Sequence, residues 1–280
     1  MPTLAGVYAG VDTHLDHHTV AVTDAVGTVQ ATASFQATPT GYRQLRNWIC
    51  SFGEIAAVGI EGTGAYGAGL SRFLFGHGLV IREVIRPNRQ HRRRYGKSDE
   101  ADAIAAARAV ISGEASGTPR GGTGAVESLR MLRTARNSAV KQRTAVANQL
   151  HALIATAPEP LRTSLRDMNI PQVVARARRY HTPTDPTDPT AGAKAALRSL
   201  ARRWHALTNE ISELDELITP VVTATSRPAL LAETGVGTNT AATLIITVGS
   251  NPERIRSEPA FAALCGVSPV DASSGQQQRH

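Results

Sequence analysis

Four carboxylates occupy positions at which a metal-dependent nuclease needs them. Asp12 and Glu61 each end a short apolar run, as acids at strand ends do. Asp99 and Asp102 lie three residues apart near the start of an Ala-rich segment, so a helix would place both on one face. Carboxylate oxygens are ligands that Mg²⁺ prefers, and two such ions can clamp a phosphodiester and activate its attacker. The set predicts metal-dependent chemistry on nucleic acid.

The turn after Asp12 offers alternative metal ligands. The stretch DTHLDHH contains Asp16 together with His14, His17 and His18. Histidines in a tight turn are more often solvated than bound to a metal. The four carboxylates favour Mg²⁺ over Zn²⁺ in either case.

A basic cluster precedes the helical pair of acids. The chain has 30 Lys and Arg against 23 Asp and Glu, a net charge of +7, which favours a polyanionic partner. Six bases within twelve residues have no acid among them, and we expect them to bind a phosphate backbone. They are Arg86, Arg89, Arg92, Arg93, Arg94 and Lys97.

The elements that must position these residues follow from the apolar pattern. Strands are predicted at 4–12, 18–24, 28–35, 56–61 and 79–85, and helices at 41–52, 66–76 and 98–111. A three-strand meander followed by strand–helix units is typical of a ribonuclease-H-like fold. We therefore predict an α/β domain at 1–115, with helices covering a mixed sheet.

The rest of the chain has a helical pattern, which gives an α/β plus α class overall. A Gly-rich linker at 113–124 precedes a long helix at 125–156, in which Arg136 and Arg143 interrupt the apolar stripe and are predicted to contact nucleic acid. A Pro-rich insert follows at 182–190. The next apolar series alternates in steps of three and four, a coiled-coil seam: Leu197, Leu200, Trp204, Leu207, Ile211, Leu214, Ile218 and Val221.

This region, 120–225, is predicted to be a helical connector. The partner of the seam is either the earlier helix or a second subunit. A small helical domain is predicted at 228–280, where Gly235 and Gly237 lie between two helical patterns. That arrangement resembles a helix-hairpin-helix turn, whose backbone N–H groups bind phosphate. An ordinary turn is the alternative.

Cysteine usage and hydropathy indicate the compartment. Cys50 and Cys265 each lie in an apolar stretch, so both are predicted to be buried thiols in a reducing cytosol. No apolar run approaches membrane-spanning length. We expect a cytoplasmic protein with no membrane association.

Five motifs follow one another along the chain: GVDTH, IEGTGAY, RPNRQHRRRYGKSDEADAIAAA, ETGVG and CGVSPVDASSG. Together they resemble the insertion-sequence one-ten family, the Piv/MooV-type DEDD transposases. The resemblance implies a RuvC-like N-terminal domain whose four acids are Asp12, Glu61, Asp99 and Asp102. It also implies a C-terminal transposase domain with a nucleophilic serine, which Ser274 matches best and for which Ser273 is the neighbouring alternative.

The resemblance also implies an activity and partners. The expected reaction is DNA transposition through a covalent serine–DNA intermediate, with two Mg²⁺ ions that Mn²⁺ could replace. A structured guide RNA would pair with donor and target DNA. Strand exchange needs several sites, so we expect a dimer or tetramer, with the 197–221 seam as candidate interface.

Two other interpretations stay open. A RuvC-like or ribonuclease-H-like metal nuclease would use the same acids with water and need no serine. An inactive DNA-binding remnant of a transposase would use neither. Relatives continue past the SSG motif with a basic helical tail, whereas this sequence ends at His280, so we expect the C-terminal domain to be incomplete.

Overall fold

The computed structural model describes residues 6–84, 98–181, 185 and 187–268. The described parts of Met1–Gly124 and Thr247–His280 form one compact unit, and those of Ala125–Ile246 form the other. The partition into three domains that the sequence predicts stays a prediction.

The first unit contains a five-stranded mixed sheet. Its strands are β1 (Val7–Thr13), β2 (His17–Thr23), β3 (Val29–Gln36), β4 (Ile55–Glu61) and β5 (Ile81–Val84), in the order β3-β2-β1-β4-β5. β2 runs antiparallel to both β1 and β3, whereas β4 runs parallel to β1 and β5. The helices are α1 (Pro39–Cys50), α2 (Ala68–Gly76) and α3 (Asp99–Ile111). The predicted mixed sheet with its helices, typical of a ribonuclease-H-like α/β domain, is confirmed.

Side-chain alternation gives the sheet two different faces. One face packs against α1 and α2 through large apolar side chains. Its buried cluster includes Ala9, Val11, Val20, Val22, Val58 and Ile60 from the strands, with Leu45, Ile49, Leu70 and Leu74 from the two helices. The opposite face carries small and polar residues, and α3 lies against it.

The second unit is helical. It contains α4 (Gly124–Thr156), α5 (Glu159–Leu165), α6 (Ile170–Ala177), α7 (Pro189–Thr225), α8 (Pro228–Ala232) and most of α9 (Thr238–Val248). A 3₁₀ turn (Pro252–Arg254) and α10 (Glu258–Cys265) belong to the first unit.

The predicted seam on α7 packs against the earlier helix of the same chain. Leu197, Leu207 and Ile211 of α7 share a buried cluster with Val146 and Leu150 of α4. Short helices α5 and α6 contribute to that cluster with Leu161, Leu165, Val173 and Val174. An intramolecular partner therefore exists for the seam, and pairing with a second subunit stays a prediction.

Helix α7 begins inside the predicted Pro-rich insert. Asp188 caps it, since the Asp188 carboxylate accepts hydrogen bonds from the backbone N–H groups of Thr190 at 3.3 Å and Ala191 at 2.9 Å. Pro189 fits the first helical position because no N–H is needed there. Pro189 and Thr190 therefore lie in the first turn of α7.

Two further observations concern the cysteines and the helices. The prediction of buried thiols is wrong, because Cys50 and Cys265 are both exposed. Each is the last residue of its helix. Among the described residues, no helix combines the length and the apolar character that a membrane span requires.

Candidate functional site

Asp12 and Glu61 meet at one edge of the sheet because their strands are parallel neighbours. Val11 pairs with Ile60 in the register of β1 and β4, and each acid is the next residue along its strand. The Thr13 hydroxyl donates a 2.9 Å hydrogen bond to the backbone carbonyl of Glu61, which fixes the two strand ends together. Asp12 is only 7% exposed. The structure therefore places these acids at adjacent positions on neighbouring strands.

Two glycines let α3 approach the sheet beneath these acids. Gly10 and Gly59 are register partners on β1 and β4. A Cβ at Gly59 would lie 2.6 Å from the Ala106 carbonyl oxygen, and a Cβ at Gly10 would collide with the backbone of α3 at Ala103 and Ala107. Each glycine precedes an acid by two residues, so the acids lie on the same face as α3.

The N-terminal turn of α3 supplies the second pair of acids. The Ser98 hydroxyl accepts a 3.2 Å hydrogen bond from the Ala101 N–H and caps the helix. Asp99 is the first helical residue and is half-buried, whereas Asp102, one turn further on, is 5% exposed. Because the glycines bring α3 onto β1 and β4, its first turn lies near the strand-end acids.

His14 joins this set. Its Nε2 atom lies 3.0 Å from Asp12 Oδ2 and 3.3 Å from Asp99 Oδ1. The ligand atoms of Asp12, His14 and Asp99 all lie within 4.8 Å of one another, as those of a metal-binding group do. Within the part of the chain that the structure describes, Glu61, Asp102 and Asp16 do not belong to that compact group.

The histidines of the turn separate according to the strand face they occupy. The His17 Nε2 atom lies 3.5 Å from Asp99 Oδ2, and its ring stacks on that of His14 with centroids 5.3 Å apart. His18, the next residue, faces the opposite side of the sheet, where it is fully buried and stacks on Tyr42. Burial lowers the pKa of His18. Alternation along β2 puts His17 and His18 on opposite faces of the sheet. The register of β2 with β1 then determines that His17 faces the acids and His18 the core.

The electrostatics of the site favour a bound cation. Burial raises the pKa of Asp12, the charge and hydrogen bond of His14 lower it, and the neighbouring Asp102 and Asp99 raise it further. A buried carboxylate surrounded by other acids is stabilised in its ionised form by a divalent cation. Oxygen-rich ligands at these distances are the donors that such an ion takes.

The loop that follows Glu61 is held by a residue that the sequence did not single out. The Thr63 hydroxyl donates a 2.5 Å hydrogen bond to the Glu83 carboxylate of β5. Gly62, between Glu61 and Thr63, has a φ of +68°, a value that favours glycine. An acid on the neighbouring strand and a buried hydroxyl therefore determine the path of the chain after Glu61.

Several predicted site residues have intramolecular partners or lie elsewhere. Arg136 binds the Asp215 carboxylate through two hydrogen bonds of 2.6 and 2.9 Å, and the Arg143 guanidinium lies 5.7 Å from the centre of the Trp204 ring. Their predicted contacts with nucleic acid stay predictions. So does the role of Gly235 and Gly237, which lie in the turn between α8 and α9. The residues outside the described ranges are Arg86, Arg89, Arg92, Arg93, Arg94, Lys97, Ser273 and Ser274.

Comparison with known proteins agrees with the motifs. A transposase family model of the DEDD, IS110 type matches residues 9–157, more than half of the chain. A second model, of the transposase IS116/IS110/IS902 family, matches residues 228–280. The chain belongs to the IS110 family of transposases. No curated protein matches it.

The two matches cover different parts of this IS110-family transposase. The first includes the strand-end acids, α3 and the long helix α4. The second includes the ETGVG turn and the serine motif. The resemblance stated from the motifs is confirmed, and the chain is a DNA transposase of an insertion sequence.

Proposed function

We propose that this transposase cleaves and exchanges DNA strands with divalent metal ions held by Asp12, Glu61, Asp99 and Asp102. The observation that carries the proposal is the compact group at the sheet edge, where two of these acids lie within 4.8 Å of each other and of His14. Burial and the neighbouring acids raise the pKa of Asp12, so a bound cation would stabilise its ionised form.

Taken by themselves, the four carboxylates would fit Mg²⁺, and the sequence predicts two such ions. Asp12 and Asp99 would hold one ion, with Glu61 and Asp102 completing the set. When bound, such ions neutralise the charge on a phosphodiester and stabilise its leaving oxygen. The protein contributes rigid placement, since two of the acids are on strands and two on a capped helix.

Ser274 is the proposed nucleophile. Its attack would form an Oγ–phosphorus bond and break one phosphorus–oxygen bond of the DNA, and the proton lost by the serine would end on the released hydroxyl. A serine hydroxyl is a weak nucleophile until it is activated or aimed at a phosphate whose charge is neutralised, and the bound ions would supply that neutralisation. The support is its place in the SSG motif, within residues 228–280 that match the transposase family.

The proposed partners are DNA and a structured guide RNA. The net charge of +7 supports binding to polyanions. The basic cluster from Arg86 to Lys97, which precedes Asp99 in the sequence, would contact backbone phosphates. Two or four copies of the chain would be needed to exchange both ends of an element.

A covalent-adduct assay tests the proposal. Full-length protein is incubated with Mg²⁺, the element's junction DNA and RNA transcribed from its end, and the products are separated on a denaturing gel. We expect a protein–DNA band that Asp12→Asn and Ser274→Ala both lose and that Ser273→Ala, the matched control, retains.

Other outcomes lead to other functions. Nicked DNA without an adduct, lost in Asp12→Asn but not in Ser274→Ala, would identify a water-dependent metal nuclease and reject the serine. An adduct that persists in EDTA would reject the metal.

A further inference from the structure

We infer that His14 is a direct ligand of the metal centre and that it makes the centre prefer Mn²⁺ to Mg²⁺. The inference rests on the proposed metal site at Asp12 and Asp99 and concerns which ion that site selects. The four carboxylates would alone favour Mg²⁺, whereas a nitrogen donor among them changes the preference.

The distances around His14 fit a coordination shell. Donors at neighbouring corners of an octahedron lie about 3 Å apart when each bond to the ion is about 2.1 Å long. The Nε2 atom of His14 lies 3.0 Å from Asp12 Oδ2 and 3.3 Å from Asp99 Oδ1. An ion bound by both carboxylates therefore has the imidazole nitrogen within reach, with no change in the backbone.

The position of the ring is fixed by the hairpin that carries it. The His14 backbone N–H donates a 3.0 Å hydrogen bond to the His17 carbonyl, which closes the turn between β1 and β2. His14 follows Asp12 by two residues, so it leaves the chain on the same face. The His17 ring stacks against it at an interplanar angle of 22°. A preorganised ring loses little entropy on binding an ion.

The chemistry of the donor set gives the selectivity. Carboxylates accept Mg²⁺ and Mn²⁺ alike, but imidazole binds first-row transition ions better than it binds Mg²⁺. Mg²⁺ also gives up its water reluctantly and seldom sits in a site built only from protein groups. Two carboxylates and one imidazole thus favour Mn²⁺ by more than carboxylates alone would.

The alternative role for His14 is to hydrogen-bond the two carboxylates without touching the ion. Both roles place the ring where it is, so geometry does not separate them. Spectroscopy separates them, because the nuclear spin of a nitrogen bound to Mn²⁺ modulates the electron spin echo of the ion.

The test is pulsed electron paramagnetic resonance on metal-stripped, full-length protein with less than one equivalent of Mn²⁺. We expect ¹⁴N modulation in the wild type and in His17→Gln, and its loss in His14→Gln. His151→Gln, an exposed histidine on α4, is the matched control and should retain the modulation. Asp12→Asn gives the baseline for protein that lacks the site.

Competition between the two ions gives a second readout. We expect the wild type to bind Mn²⁺ at least about tenfold more tightly than Mg²⁺. The His14→Gln change should weaken Mn²⁺ binding by about tenfold or more, the loss usual when a group that shapes a metal site is removed. Its effect on Mg²⁺ binding should be several times smaller.

Two results would overturn the inference. Mn²⁺ bound through Asp12 with no ¹⁴N modulation, or with modulation that survives His14→Gln, would reject His14 as a ligand and leave the proposed metal-dependent function standing. If the wild type binds no more Mn²⁺ than Asp12→Asn does, both the role of His14 and the proposed metal-dependent function would be rejected.

Discussion

The strand-end site of the first unit and the helices of the second unit differ in how their charges are arranged. The packed pair α4 and α7, with the segment between them, is called the helical hairpin. In the hairpin, Arg136 faces the carboxylate of Asp215 at 2.6 Å, and Arg130 faces Glu127 at 2.6 Å. At the sheet edge, acids lie beside acids, and the pKa of Asp12 is raised by burial and by its neighbours Asp102 and Asp99. Paired charges stabilise a fold, whereas clustered like charges destabilise it until a ligand arrives.

The two units also bring helices to their partners differently. α4 and α7 meet through Leu, Ile and Val side chains, which fill the space between them. α3 meets the sheet through the bare backbone of Gly10 and Gly59. The first arrangement tolerates volume-conserving repacking, whereas in the second an added Cβ at either glycine would meet the backbone of α3.

The largest expected effect is that of Gly10→Ala. The added Cβ meets the backbone of α3 at Ala103 and Ala107, so the helix must move and Asp99 and Asp102 move with it. We expect a loss of about 3 kcal/mol in the free energy of unfolding and loss of strand cleavage. Urea unfolding and the adduct assay measure the two effects.

Gly76→Ala is the control, because a Cβ there has nothing within 4 Å. Equal stability of the Gly10 and Gly76 variants would mean that the close approach of α3 does not constrain the site.

The second-largest expected effect is the loss of stability caused by Asp215→Asn in the helical hairpin. Arg136, whose side chain is 16% exposed, would keep its charge and lose its carboxylate. We expect a loss of about 1–2 kcal/mol, as for a charge-assisted hydrogen bond at a half-buried position. Thermal unfolding at constant pH measures it.

Asp167→Asn is the matched control, since Asp167 pairs with Arg166 at 3.5 Å and its side chain is 86% exposed. A pair so exposed contributes little. Similar losses in both variants would show that charge pairing inside the hairpin has no special value.

Asp12→Asn should change stability in the opposite direction. An acid whose folded-state pKa is raised stabilises the fold only while it is protonated, and that contribution is lost as pH rises from its ordinary pKa through the raised one. At neutral pH the Asp12 carboxylate therefore costs stability in the metal-free protein. We expect the variant to gain about 1 kcal/mol, typical of a relaxed functional site, and to lose cleavage.

Asp16→Asn, an exposed acid in the same turn, should change neither property. A loss of stability in metal-free Asp12→Asn would contradict the comparison between the two units.

The smallest expected effect is that of His18 on the free energy of unfolding, and it is seen only when the pH is varied. Burial lowers the pKa of His18 in the folded state, so below its ordinary value of 6.5 the unfolded chain binds a proton that the folded chain does not. Stability contributed by neutral His18 is thus present above that pH and falls as pH falls through the window below 6.5. Replacement by Phe, which preserves stacking on Tyr42, should flatten this part of the curve.

Unfolding of the wild type and of His18→Phe between pH 7 and pH 5 checks the difference. Parallel curves would show that His18 does not titrate with unfolding.

Local sequence determined most of the first unit. Apolar alternation and the helix cap at Ser98 predict the β and α segments, and an acid at the end of each of two strands predicts where chemistry can occur. These are short-range properties, because periodicity and capping act within a few residues. The same reasoning failed for Cys50, since an apolar neighbourhood in sequence does not say which side of a helix faces the core.

Tertiary structure decided which polar atoms meet. The sequence named His14, His17 and His18 as equal alternatives, and only the register of β1 with β2 directs the first two to the acids and the third to the core. Pairing of Arg136 with Asp215, 79 residues away, is likewise invisible in a local pattern. Periodicity predicts which face of a segment is buried. A functional site depends on distances between segments, and those distances are set by tertiary packing.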